Sequence, residues 1–328
     1  MDISAQFLGL KISSPIVAGS CGLTNNLDNL KRLEDAGVGA VVLQSVFEEE
    51  ILHNAKRIAQ GSAHVDSYGE GYDYASNHES ERALETHFNL ARQAKESLSI
   101  PVVASINCYS FNTWINYIEG FREAGCDAVE LNMGIVPCEL NVGTADVERL
   151  YHNIILSSRR ATSLPISVKV SYYFTDLAQF MQQISWSGIA GITMFNRSAL
   201  IDIDTENLEF KQSPLFSTST SDAFHNILHW MAVLSGKLRC PISASTGIMT
   251  SEDVVKALLA GAGTTQLMAT LYRNGLGYVK DINAGLVRWM EQHDFSSIDQ
   301  FRGRLAIRKE GEAQAMTRSQ FMRFYSEM

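Results

Sequence analysis

Short apolar runs alternate along the chain with longer segments whose apolar residues recur every three or four positions. The runs cover residues 15–18, 40–43, 102–105, 128–132, 166–170, 191–194, 241–244 and 265–268, and each reads as a buried strand. Between them, the spacings Leu27, Leu30, Leu33, Ala36 and Val254, Val255, Leu258, Leu259 are those of helices with one apolar face. Gly37, Gly125, Gly188 and Gly261 end helical segments just before a strand, where a left-handed cap lets the chain reverse. Strand and helix alternating throughout predict a parallel sheet. Eight such units favour closure into a TIM (β/α)8 barrel over an open doubly wound sheet.

Three segments depart from the alternation, and all three follow strand carboxyl ends, where barrel loops carry function. They are residues 48–77, rich in His, Asp, Tyr and Gly, then 134–143 and 197–220. The expected organisation is a single barrel domain over residues 1–308 with inserted loops at the carboxyl-terminal face of the strands. A polar tail over 309–328 follows, in which Phe321 and Phe324 are expected to pack locally.

Composition narrows the class. The 328 residues suffice for one barrel core. A net charge of −9 argues against a nucleic-acid or anionic-membrane surface, because such a field repels both. No apolar run is long enough to span a membrane, and the start of the chain lacks the charged and apolar regions of a signal peptide, so a cytoplasmic location is expected. Cys21, Cys108, Cys126, Cys138 and Cys240 form no Cys-x-x-Cys pair, which points to reduced thiols and to neither an iron–sulfur cluster nor a structural zinc site.

Lys169 is the chemically informative residue. It lies inside Pro165-Ile-Ser-Val-Lys-Val-Ser171, and a lysine in a buried strand is costly unless an anion meets it. The other reading, an edge-strand lysine in water, sits poorly with Val168 and Val170 beside it. Strands tipped by Asn132 and Asn196 flank the Lys169 strand, as on the active face of a barrel. Two later turns, Ala244-Ser-Thr-Gly-Ile248 and Met268-Ala-Thr-Leu271, follow the seventh and eighth strands, where barrels commonly bind phosphate. Either turn alone reads more readily as a plain loop; their joint register with the strand pattern favours a phosphate.

Several stretches together resemble one family. They are Gly9-Leu-Lys-Ile-Ser-Ser-Pro15, the segment from Asn26 to Gly37, Ser167-Val-Lys-Val-Ser171, Phe195-Asn-Arg197 with the following Ile201-Asp-Ile-Asp-Thr-Glu206, and the segment from Ser251 to Ala262. In order along residues 1 to about 305, they resemble the class 1 dihydroorotate dehydrogenases, and within that family a divergent dihydroorotate dehydrogenase-like branch. The resemblance implies a barrel holding FMN at its strand ends, commonly as a homodimer. It implies flavin contacts from Ala18, Gly19 and Ser20 in the first-strand turn, from Gln44, Ser45 and Asn107, from Asn132, and from Lys169 near the N1–C2=O edge. A fixed ammonium there stabilises the negative charge that accompanies hydride arrival at N5. Gly247, Ala269 and Thr270 match the phosphate loops, while Asp66, Asn196 and Arg197 match the substrate side.

The substrate side departs from the family pattern. The family draws a proton from dihydroorotate with a Cys or Ser in the loop after the fourth strand. Here Asn132-Met-Gly-Ile-Val-Pro137 puts Ile135 at that position, and an aliphatic side chain cannot accept a proton. The family's second-strand lysine aligns with Gln44, and the glycine-rich segment before the sixth helix becomes Pro214-Leu-Phe-Ser-Thr-Ser-Thr220. Cys138 is either a displaced base or an inert loop thiol, and His64 either an acid–base group or a solvated loop histidine. A carboxylate at Asp66 would repel orotate. Arg197 either grips a substrate carboxylate or pairs with Asp202 or Asp204.

The resulting expectation is an FMN-binding oxidoreductase of this family that does not oxidise dihydroorotate efficiently. The alternatives are a genuine dihydroorotate dehydrogenase of pyrimidine biosynthesis with a displaced base, or a catalytically silent flavin- or partner-binding subunit beside an electron-transfer partner. A phosphosugar-binding barrel without flavin is more distant.

Overall fold

The structure, a computed structural model, describes residues 1–51, 69–108, 111–135, 140–196, 201–212, 221–309, 311–315, 318, 319 and 322. Eight parallel strands close a barrel: β3 (Ile16–Ala18), β4 (Ala40–Val42), β6 (Val102–Asn107), β7 (Ala128–Met133), β8 (Ile166–Val170), β9 (Gly191–Met194), β12 (Ile242–Ser245) and β13 (Thr264–Leu267). Every neighbouring pair is parallel, and the β4–β6 pairing closes the ring. The eight predicted strands are all present. A short β5 (Val46–Phe47) extends the second strand line and pairs with the far end of β6 through Val46↔Ile106 and Phe47↔Asn107.

The strands consist almost wholly of buried residues because helices cover the outside and side chains fill the inside. The outer helices are α1 (Leu27–Asp35), α2 (Gly69–Ser97), α3 (Phe111–Glu123), α4 (Thr144–Ala161), α5 (Leu177–Ser185), α6 (Ser221–Leu234), α7 (Ser251–Ala260), a short α8 (Ala269–Asn274) and α9 (Val279–Gln292). Local chemistry sets their ends. The Asn26 side chain accepts from Asn29 N–H at the start of α1, and Thr250 with Asp253 forms a capping box on α7. Gly261 ends α7 at φ 109°, a conformation that a Cβ disfavours.

An antiparallel hairpin, β1 (Ala5–Phe7) with β2 (Leu10–Ile12), plugs the amino-terminal end of the barrel. Phe7, Leu8 and Ile12 are buried against Val17, Ala40, Val42, Val103 and Ala128, whose side chains point inward at that end. The segment expected as one polar excursion over residues 48–77 is in part regular, since α2 begins at Gly69. The insertion after β9 contains a second hairpin, β10 (Ile201–Asp204) with β11 (Glu209–Gln212), whose cross-strand pair Ile203 and Phe210 is exposed. No helix among the described residues is long and apolar enough to cross a membrane.

Candidate functional site at the barrel mouth

The carboxyl ends of β3, β4, β6, β7 and β9 bring one polar chain together around β8, the strand that carries Lys169. Strand register sets it, because Asn132 and Lys169 stand opposite each other on β7 and β8, and Lys169 stands opposite Thr193 on β9. Asn196 Nδ2 donates to Asn132 Oδ1 at 2.7 Å, and Asn132 Nδ2 donates to Ser45 Oγ at 3.1 Å. The Ser45 hydroxyl lies 2.6 Å from that of Ser105 and 3.1 Å from that of Ser20, and Ser20 Oγ also accepts the Ser45 backbone N–H at 2.9 Å. A hydroxyl has one proton, so Ser45 can donate to only one of these two serines and accepts from the other. The chain thereby locks Asn132, which is buried at 6% exposure, into one amide orientation.

Lys169 is inside the barrel, with 9% of its side chain exposed. The first anion it meets belongs to the protein itself. Glu130, two residues before Asn132, is fully buried, and its Oε1 lies 3.5 Å from Lys169 Nζ. The other oxygen, Oε2, accepts from Thr193 Oγ1 at 2.8 Å and Gln266 Nε2 at 2.7 Å. The anion that a buried Lys169 calls for is thus in part internal, since the Glu130 carboxylate already answers part of its charge. An ionised carboxylate only accepts, so the Gln266 amide must turn its nitrogen toward Glu130. Its Oε1 is left buried without a hydrogen-bond partner among the described residues, 3.4 Å from the position a Cβ on Gly19 would take.

The first-strand turn is built from small residues, with Ala18 and Gly19 buried and Ser20 half-buried. Gly134 is equally close-set, since a Cβ there would stand 3.0 Å from Asn196 Nδ2 and 4.0 Å from Asn107 Nδ2. After β12 the chain turns through two successive positive φ values, Thr246 at 82° and Gly247 at 75°. For β-branched Thr246 this is a strained position. Its hydroxyl donates to the Phe195 carbonyl at 3.0 Å, tying this turn to the end of β9. Ala269 and Thr270 are buried after β13. The Thr270 hydroxyl donates to the Met249 carbonyl and accepts from Asn274 Nδ2, both at 3.0 Å, so its proton is already committed.

On the substrate side, Gln44 is half-buried and its backbone N–H donates to the Thr24 carbonyl at 3.3 Å. Ile135 is half-buried, packs its side chain against the main core and accepts from the Ser171 hydroxyl through its carbonyl at 3.3 Å. Tyr151, fully buried, supports the same loop by donating to the Met133 carbonyl at 2.6 Å. Beyond β8, Tyr172 is 40% exposed and sets its ring edge-on to Phe195, with centroids 5.9 Å apart. His64, Asp66, Cys138, Arg197, Phe321 and Phe324 lie outside the described residues. Cys21, Cys108, Cys126 and Cys240 are free thiols. Burial pushes Cys126 and Cys240 up to about 12.

The family model described as Dihydroorotate dehydrogenase matches residues 2–290. The chain belongs to the dihydroorotate dehydrogenase family. Its relatives include the chloroplastic dihydropyrimidine dehydrogenase (NADP(+)) of Arabidopsis thaliana, 25% identical over 330 residues, which cover 92% of this chain and 76% of the relative. The NAD-dependent dihydropyrimidine dehydrogenase subunit PreA of Escherichia coli K12 is 23% identical, again over 92% of this chain and 76% of the relative. The catalytic subunit of dihydroorotate dehydrogenase B (NAD(+)) of Pyrococcus furiosus is 24% identical over 92% of this chain and 98% of the relative. The family and these relatives support a flavin oxidoreductase.

Sequence reasoning missed Glu130, Thr193 and Gln266. Each lies in a strand that reads as apolar, and the signal that could have found them is an ionisable or amide side chain at an inward position of a barrel strand.

Proposed function

We propose that this protein is an FMN-dependent oxidoreductase whose substrate is not dihydroorotate. The observation that carries the reading is the contrast across one mouth: the Lys169–Asn132–Ser45 arrangement is assembled, while Ile135, at the base position, is packed against the core. The residues fit a flavin. Lys169 and Asn132 supply polar partners for the pyrimidine edge of the ring, and Gln266, beside Gly19 of the small-residue turn, offers a buried oxygen with no hydrogen-bond partner among the described residues. When bound, FMN supplies hydride acceptance at N5. The protein's part is to hold the ring, keep positive charge at the N1–C2=O edge, and exclude water. Gly247 and Ala269 suit the phosphate through backbone groups, since Thr270 has its hydroxyl engaged.

An uncharged ring is the favoured substrate class. Gln44 stands where the family's cation would meet a carboxylate, and the exposed Tyr172 ring beside Phe195 offers a flat apolar wall. The relatives named dihydropyrimidine dehydrogenases agree with this class. A homodimer and a separate electron-transfer partner complete the proposal, the latter in keeping with relatives named as subunits.

The test is a visible spectrum of the purified protein followed by anaerobic mixing with dihydroorotate and with dihydrouracil. A yellow protein whose flavin dihydroorotate leaves oxidised supports the reading. A protein that stays colourless with millimolar FMN, or rapid bleaching by dihydroorotate, overturns it.

A further inference from the structure

Glu130 is a fully buried acid of the barrel, and neither the resemblance nor the relatives' names give it a role. It is fully buried on β7, two residues below Asn132, and both of its oxygens are spoken for in different ways. Oε2 takes hydrogen bonds from Thr193 and Gln266, on β9 and β13. Gln266 also reaches the Thr193 hydroxyl at 3.2 Å, and Ser167 stands 3.4 Å from that hydroxyl, so the donors are themselves held in place. Oε1 has no hydrogen-bond partner among the described residues and faces Lys169 Nζ at 3.5 Å, inside ion-pair range. A carboxylate buried this far is tolerated only when paired and hydrogen-bonded. Here the pairing points up the barrel axis, toward the mouth.

We infer that Glu130 is the positioning residue for Lys169: clamped by Thr193 and Gln266, it holds the ammonium at the barrel mouth and offsets part of its charge. The pair as a whole, and not the lysine alone, then sets how strongly the site favours an anionic, reduced cofactor. This rests on the flavin reading above. The two partners act on the reduced anion with opposite signs. Removing the ammonium leaves a buried negative charge under the cofactor edge and disfavours the reduced anion. Removing the carboxylate charge, while keeping its shape, unmasks the ammonium and favours it. A Glu130 that merely supported the fold would not raise the potential when neutralised.

The experiment measures the flavin midpoint potential in wild type, Glu130→Gln and Lys169→Met. Glu130→Gln is expected to raise the potential and Lys169→Met to lower it, each by a roughly tenfold change in the ratio of affinities for reduced and oxidised flavin, about 30 mV for a two-electron couple. A potential in Glu130→Gln at or below that of wild type overturns the inference. Should that variant fail to fold, Thr193→Val keeps the carboxylate but removes a donor that spreads its charge. Its potential is expected below wild type, and no change there is equally fatal. If the wild-type protein takes up no FMN, the flavin reading falls separately, and the pair is judged on flavin-free protein. The Lys169 ammonium signal in 15N–1H spectra should be sharp in wild type and lost on neutralising Glu130 or weakening its clamp, whereas an unaltered signal rules the pairing out.

Discussion

Asn196 reaches across from the end of β9 to donate to Asn132 at the end of β7, 2.7 Å away, and passes over β8, the strand that carries Lys169, in doing so. The two amides bridge the strand ends that flank the lysine, and the Ser45 hydroxyl continues the bridge. Replacing Asn132 by Ala leaves Asn196 and Ser45 without this partner in a buried setting. The expected cost is about 1–3 kcal/mol of stability, read by urea denaturation. Fluorescence titration should show FMN binding weakened by about tenfold or more, since 1.4 kcal/mol corresponds to one factor of ten. Unchanged FMN affinity in Asn132→Ala would place the ring elsewhere.

Turnover of dihydroorotate is expected to be undetectable or very slow in the flavin-loaded protein. A positioned base contributes about 10²–10⁴-fold, and Ile135 offers none. Because a base acts only on a held substrate, Ile135→Cys with Gln44→Lys should raise turnover more than the two single changes combined. Steady-state assays with an artificial electron acceptor measure this. Wild-type rates of about 1–10³ per second would point to a displaced base such as Cys138.

Lys169→Met should also destabilise the protein, because it strands Glu130 as a buried charge held, among the described residues, by Thr193 and Gln266 alone. Breaking a buried pair from one side typically costs about 3–5 kcal/mol. Chemical denaturation of the flavin-free protein isolates this effect from cofactor loss, and a change under about 1 kcal/mol would mean that water reaches the pair.

Alkaline pH should weaken the fold through its buried thiols. Cys126 and Cys240 are pushed up to about 12 by burial, from a reference near 9. The unfolded chain therefore releases these protons as pH rises past about 9, while the native state keeps them until about 12. Stability is full below the lower value and declines through that window. Thermal midpoints recorded from pH 8 to 11 should fall, and replacing both cysteines with alanine should flatten the part of the decline they cause.

Backbone closeness gives a sharper stability test. Gly39, just before β4, has no room for a side chain, because a Cβ would collide with the Ser14 carbonyl oxygen. Gly277 faces open space. Gly39→Ala should cost about 2 kcal/mol or more, and Gly277→Ala about 0.5 kcal/mol or less, compared by urea midpoints.

The strand and helix periods are legible in the sequence because each answers to local chemistry: an apolar run such as Ile166–Val170 has to be buried, and a Gly261 has to cap. Lys169 stands out for the same reason, as a charge where the pattern demands none. Its partner does not. Glu130 is 39 positions away and becomes a neighbour only through the stagger of parallel strands and the closing of the ring, neither of which leaves a trace in local spacing. The β10–β11 hairpin is similarly hidden, since alternating Asp and Ile in a polar insertion reads as loop until the strands pair. The departures at Ile135 and Gln44 are visible only against a family pattern, because an isoleucine or a glutamine alone carries no sign of a missing function.

The hairpin that plugs the foot of the barrel gives the molecule a direction. Phe7, Leu8 and Ile12 stopper one end of the barrel, so water is expected to approach the buried acid from the opposite rim. On the proposed reading, a cofactor seated on that rim would act as a cork. The side-chain amide hydrogens of Gln266 would then exchange with solvent at a pace set by cofactor departure, so that a spectrometer watching one glutamine at the bottom of the vessel clocks the opening of its lid.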